Sequence, residues 1–199
     1  MLRATIAAVL AVTVSVPVLA QDQGQGQAPD PESFLPKPTA EHELLKRDVG
    51  TWDAKISTYM GGPDAPPEVS EGVETNRMLG DLWVVSDFQG SFAGMPFTGH
   101  AQVGFDSKAD HFVMSWIDSV STSLMTLQGT YDPASKTLTM TGKVYDPMLE
   151  KEVEHQSVTR YIDEDHRVFT MSMKAPELGD DWVKGMEIEY TRREADAPE

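Results

Sequence analysis

From Gly50 to Arg192 the chain is a succession of short stretches in which apolar and polar residues alternate, interrupted by turn-forming clusters. A period of two belongs to a β-strand with one buried face, and regular spacing between turn signals belongs to an antiparallel all-β fold. The segment Phe97–Ser119 shows this best. One strand places Phe97, Gly99, Ala101, Val103 and Phe105 on a single face, and its partner places Phe112, Met114, Trp116 and Asp118 on a single face. The polar tip Asp106–Asp110 joins them. The clusters Gly61-Gly62-Pro63, Met95-Pro96, Asp132–Lys136, Asp146-Pro147 and Asp163–Asp165 read as further turns. Strands are therefore predicted near 50–60, 68–79, 82–91, 97–106, 110–120, 123–132, 136–146, 152–163, 166–174 and 183–192. A meander of this width exposes long edges unless it splits into a sandwich or closes into a barrel, and alternation alone does not separate the two.

The segments before this array have other roles. Residues 1–20 pair Arg3 with an apolar run ending Val18-Leu19-Ala20, the pattern of a secretory signal peptide. The run is short for a membrane span, and no cysteine follows it to carry a lipid. The expectation is a bacterial Sec-type signal and a periplasmic or secreted protein with no membrane insertion after cleavage. Residues 21–38, rich in Gln, Gly and Pro, bury too little to offset the entropy of ordering and read as a disordered linker. Thr39 then N-caps a short helix with Glu41 and Glu43 in its first turn and Lys46 and Arg47 in its last, Leu44 and Leu45 facing inward. The folded domain is placed at 39–193, with a disordered tail at 194–199. The absence of cysteine excludes disulfides, thiolate metal sites and thiol nucleophiles. With 32 acidic against 16 basic residues, the chain lacks the basic footprint that nucleic acid or an anionic membrane requires.

The block Gly99-His100-Ala101-Gln102-Val103-Gly104-Phe105-Asp106, followed by Trp116-Ile117-Asp118-Ser119, resembles the DUF1579 family, whose folds look calycin-like. The resemblance covers about residues 40–193. It implies a closed antiparallel up-and-down β-barrel of about ten strands, lipocalin-like, with a short N-terminal helix, and it supplies no chemistry. Within that frame Gly50-Thr51-Trp52 resembles the G-x-W signature of calycins, in which the tryptophan plugs one barrel end beneath a basic side chain from the last strand. Arg192 and Arg193 are the candidates, and Arg192 is preferred. A guanidinium over an indole face supplies a cation–π contact with hydrogen bonds to spare.

Candidates for chemistry are few. Of the five histidines, His42 and His166 are predicted to be solvated, His111 to sit at a rim and His155 to face outward. None has metal-ligand spacing, so no metal site is expected. His100 shares a face with Thr98 and Gln102; if that face looks inward, His100 and Asp118 form the one acid/base pair available, and if the phenylalanines face inward His100 is a surface residue. The preferred reading of Asp118 is a hydrogen-bonded residue at a barrel mouth, because a buried carboxylate needs partners. No nucleophile elbow, P-loop or dinucleotide glycine motif accompanies them. Methionine is more informative. Eleven occur, and Met114, Met125, Met171 and Met173 fall at apolar strand positions alongside Trp83 and Trp116, a set suited to an adaptable ligand pocket or to a filled core. No cofactor is expected: haem would need His100 as its axial donor, and copper(I) would need thioethers with a histidine partner.

Three functions remain. The leading one is an exported protein binding a small apolar or amphipathic ligand inside the barrel. The second is an enzyme working in the barrel through His100 and Asp118. The third is an envelope interaction protein with a filled barrel.

Overall fold

A computed structural model describes residues 34–59, 66–146, 150–176, 179 and 181–194. The predicted signal peptide, most of the linker, the Gly61-Gly62-Pro63 turn, Pro147 and the end of the tail lie outside the described residues. The chain divides into residues 1–36, of which only the exposed 34–36 are described, and residues 37–199.

The second unit opens with α1 (Ala40–Leu45) and a 3-10 turn (Lys46–Asp48). Ten strands follow: β1 (Gly50–Thr58), β2 (Glu68–Leu79), β3 (Trp83–Phe92), β4 (Met95–Asp106), β5 (His111–Asp118), β6 (Met125–Asp132), β7 (Thr137–Asp146), β8 (Lys151–Tyr161), β9 (His166–Lys174) and β10 (Val183–Arg192). Each strand pairs antiparallel with its neighbours in sequence, and β1 pairs with β10, Trp52 opposite Arg192 and Thr58 opposite Met186. The sheet is thus a closed barrel, and closure removes the edges that a ten-strand meander would otherwise expose.

Local chemistry sets the connections. Ala93 and Gly94, with φ of 49° and 75°, form the two-residue hairpin between β3 and β4. Met95 and Pro96, read from the sequence as the turn itself, instead begin β4 opposite Phe92 and Ser91. Asp106, Asp132 and Asp163 each accept a backbone N–H from two residues onward, from Lys108, Ala134 and Asp165, so one Asx-type device is used at three hairpins.

Cross-strand register fixes which residues face inward. Trp52 lies opposite Glu74, which lies opposite Phe88, Gly99 and Asp118 in turn; across β3 and β4 the adjacent inward row runs Ser86, Ala101 and Trp116. The phenylalanines of β4 therefore face the interior. One end is sealed by α1, the 3-10 turn and an inner layer of buried side chains: Leu45 is 1% exposed and Trp52 2%. His42, expected in solvent, is buried there. Its Nδ1 accepts the Thr39 backbone N–H (3.0 Å), and its ring meets Phe105 edge-on at 5.8 Å.

Candidate functional site

The sealed end holds the buried charges. Gly50, at φ 125°, turns the chain from the 3-10 turn into β1, and an added Cβ there would sit 2.8 Å from the Arg192 guanidinium. Trp52 donates its indole N–H to the Asp48 carbonyl (2.8 Å). The Arg192 guanidinium stands 4.1 Å from the Trp52 ring centroid and donates to the carbonyls of Arg47, Val49 and Glu164, tying the helical segment and the β8–β9 turn to the barrel rim.

Beneath this contact lies an assembly the sequence did not reveal. Arg167 is buried, 4.5 Å from the Trp52 ring and 4.4 Å from the Tyr190 ring, and donates to Asp48 (2.7 Å) and to Glu74. Tyr161 donates to Asp48 (3.0 Å), Tyr190 to Glu74 (2.8 Å), and Asn76 to both Glu74 (2.7 Å) and the Asp48 carbonyl (2.9 Å). Burial pushes the Asp48 carboxyl up, with Arg167 pulling the other way, and burial also raises both phenols well above their usual range. Burial opposes the Arg167 charge, but Asp48 and Glu74 outweigh it and raise its pKa. Two carboxylates around Arg167 give this buried trio a formal charge of −1, partly spread over donated O–H and N–H bonds.

Toward the other end the interior changes character. Trp116, Met114, Met125, Met171 and Met173, the sequence-predicted ligand residues, all occupy inward positions, as do Phe97, Phe169 and Met186. Each keeps part of its surface accessible, unlike the sealed layer. The Trp116 ring lies against Gly99, where an added Cβ would fall 2.1 Å from it, and stacks with Phe97 at 6.3 Å. Its indole N–H donates to Asp118 (2.9 Å), whose other oxygen accepts the Val120 backbone N–H (2.9 Å). Asp118 thus stands at the end of β5 with both oxygens engaged.

Two sequence expectations are corrected here, at Trp83 and His155, and the alternative left open at His100 is decided in favour of a surface residue. His100 lies opposite Ile117, not Asp118; it faces outward and bonds Asp87 at 2.8 Å. The acid/base pair does not assemble, because residues 99 and 100 point to opposite faces of the wall, and a haem donor at His100 is lost for the same reason. Trp83 also faces outward: it lies opposite Gly104, whose missing side chain leaves room for the indole, and it lines a groove of about 490 Å³ on the outer wall. His155, expected outside, is buried and inward, opposite Met173. Its charged neighbours in sequence, Glu152 and Glu154, occupy the outward positions and masked this alternation. Among the described residues no group of three or more His, Asp or Glu side chains is arranged to hold a metal.

These observations define a closed, end-plugged barrel of calycin type. The family model described as "Protein of unknown function (DUF1579)" matches residues 37–192, and the chain belongs to that family. No curated protein matches the sequence. Among solved structures, the barrel is similar to Rv2717c from M. tuberculosis, at 15% identity and a TM-score of 0.59, over 79% of this chain and 100% of that one. It is similar also to the S-type phycobiliprotein lyase CPES from Guillardia theta, at 13% identity and a TM-score of 0.56, over 79% of this chain and 95% of that one. At these identities the likeness is one of fold.

Proposed function

We propose that the protein is an exported carrier or sensor that holds a small apolar or amphipathic molecule in the open half of its barrel. One observation carries this reading: inward-facing Trp116, Phe97 and the methionines of β5, β6, β9 and β10 retain accessible surface, whereas the opposite end is sealed by Trp52 and its charged partners. Apolar side chains turned inward yet still reachable are the lining of a ligand site rather than of a finished core. Methionine suits such a lining because its unbranched side chain repacks around different shapes. A phycobiliprotein lyase uses a comparable fold, which fits a role in small-molecule handling without specifying the molecule. Export follows from the N-terminal apolar segment, and the acidic chain suits a soluble protein without nucleic-acid partners.

The test is native mass spectrometry of the mature protein isolated from its exporting cell, followed by solvent extraction. A small molecule bound at one per chain, and retained about tenfold less by Trp116→Ala with the fold intact, supports the site, since truncating a half-buried aromatic removes a large contact area. Equal retention by the variant refutes the placement.

A further inference from the structure

The inner wall is not uniformly apolar. On β8, His155, Ser157 and Thr159 point inward in succession, and all three are buried. Ser157 has no exposed surface, and its Oγ has no hydrogen-bond partner among the described residues. A buried hydroxyl without a partner is uncommon, because nothing replaces the water it gave up. Its cross-strand neighbours are Met140 and Met171, whose flexible side chains can swing aside to admit a partner. His155 adds a second unfilled position. Its Nδ1 lies 3.3 Å from the Val153 carbonyl, which only accepts, so Nδ1 carries the proton and Nε2 presents a lone pair. Nε2 has no partner among the described residues. The two side chains stand two residues apart on one face, their Cα atoms roughly 7 Å apart along the strand, and so open onto the same stretch of the interior.

From this geometry we propose that the ligand is a neutral, largely apolar molecule bearing a hydroxyl group, which donates to His155 Nε2 and accepts from the Ser157 hydroxyl. The proposal rests on the reading of the open half as a ligand site and specifies what that site selects. A methyl group can do neither, and a carboxylate has no proton to give. Asp118 at the end of β5 and the strongly acidic chain also disfavour an anion.

A matched series separates the alternatives: 1-naphthol, 1-methylnaphthalene and 1-naphthoate, titrated by calorimetry into the full mature protein, its Ser157→Ala variant and the Ser157→Ala/His155→Leu double variant. Two neutral hydrogen bonds make 1-naphthol bind about tenfold tighter than 1-methylnaphthalene to the unaltered protein. Ser157→Ala reduces that preference, and the double variant abolishes it while the 1-methylnaphthalene Kd stays within about twofold. Ser157→Ala removes an unpaired buried hydroxyl and so keeps the fold, which makes the single variant decisive should the double one unfold. If both neutral probes bind equally to the unaltered protein, the hydroxyl proposal is overturned while the ligand site stands. Tightest binding of 1-naphthoate, or a preference that survives the substitutions, overturns it too. If no probe binds, the ligand-site reading falls and this proposal with it.

Discussion

Replacing Arg167 by methionine tests the plug most directly. The substitution keeps an unbranched apolar stem but removes the only cation held by both Asp48 and Glu74, whose side chains are each 11% exposed. Removing one partner of a buried ion pair costs about 3–5 kcal/mol, because the other charge remains buried without compensation. Here two carboxylates are stranded, and the cation–π contacts with Trp52 and Tyr190, worth about 0.5–1 kcal/mol each, go as well. A loss of about 4–6 kcal/mol is a large part of the stability of a domain this size, and it lowers the melting midpoint by about 8–24 °C. The deficit depends on pH. Without Arg167, burial and the neighbouring Glu74 charge hold the Asp48 carboxyl pKa above that of the unfolded chain. Between its unfolded and folded values Asp48 binds more proton in the folded variant than in the unfolded one, so stability rises as the pH falls from 7 toward 5. Urea denaturation at both pH values measures this, alongside Arg167→Met/Asp48→Asn/Glu74→Gln, which leaves no buried charge and regains most of the loss. A cost below about 1 kcal/mol for Arg167→Met, or a deficit identical at pH 7 and pH 5, refutes the view that this ion cluster holds the barrel end together.

Two other predictions concern stability. An alanine Cβ at Gly129 falls 1.9 Å from the Thr139 carbonyl oxygen on the neighbouring strand, whereas at Gly185 its nearest neighbours are 3.9 Å away. Gly129→Ala therefore costs about 1–3 kcal/mol or more in chemical denaturation while Gly185→Ala stays within about 0.5, and equal costs would show that β6 and β7 are not so closely apposed. At acid pH the hairpin aspartates matter. Backbone N–H groups of Ala109 and Lys108 lower the Asp106 pKa, the Ser135 hydroxyl and the Ala134 N–H lower that of Asp132, and the Asp165 N–H with His166 lowers that of Asp163. Their contribution is present above the unfolded carboxyl value of about 3.9 and disappears as the pH falls through the lowered folded values, so the triple Asp→Asn variant loses less of its melting midpoint than the parent between pH 4.5 and 2.5; parallel profiles would remove these turns from the acid response.

The strands were legible because one face of each is buried and the other is wet, which writes the period of two directly into the residues. Closure was not legible from alternation. It is decided by pairing between β1 and β10, more than 120 residues apart in sequence, and only the family resemblance pointed to it. Trp52 and Arg192 stood out because a glycine with positive φ and a tryptophan make a short recognisable signature. Asp48, Glu74 and Arg167 did not, since a charged residue at an inward position looks like any surface charge until its partner on a distant strand is known. His100 and His155 show the same limit from opposite sides. His100 stands beside inward-facing glycine and alanine yet points out, and His155 stands between outward-facing Glu154 and Gln156 yet points in.

The distribution of polarity along the barrel bears on what its interior can accept. Among the described residues, the buried Asp, Glu and Arg side chains are Asp48, Glu74 and Arg167, and all three are consumed by one another in the plug. Asn76, Tyr161 and Tyr190 spend donors there as well. The wall between plug and mouth is left with neutral groups set among methionine and aromatic surface, and with Asp118 already engaged by Trp116 and Val120. A charged ligand would meet no buried counter-ion along that wall and would lose its hydration without replacement. A wholly apolar ligand would leave the Ser157 hydroxyl as unpaired as before. A molecule with a single neutral donor–acceptor group is the case in which binding improves the hydrogen bonding of the protein itself, and that gain is what a comparison of 1-naphthol with 1-methylnaphthalene isolates.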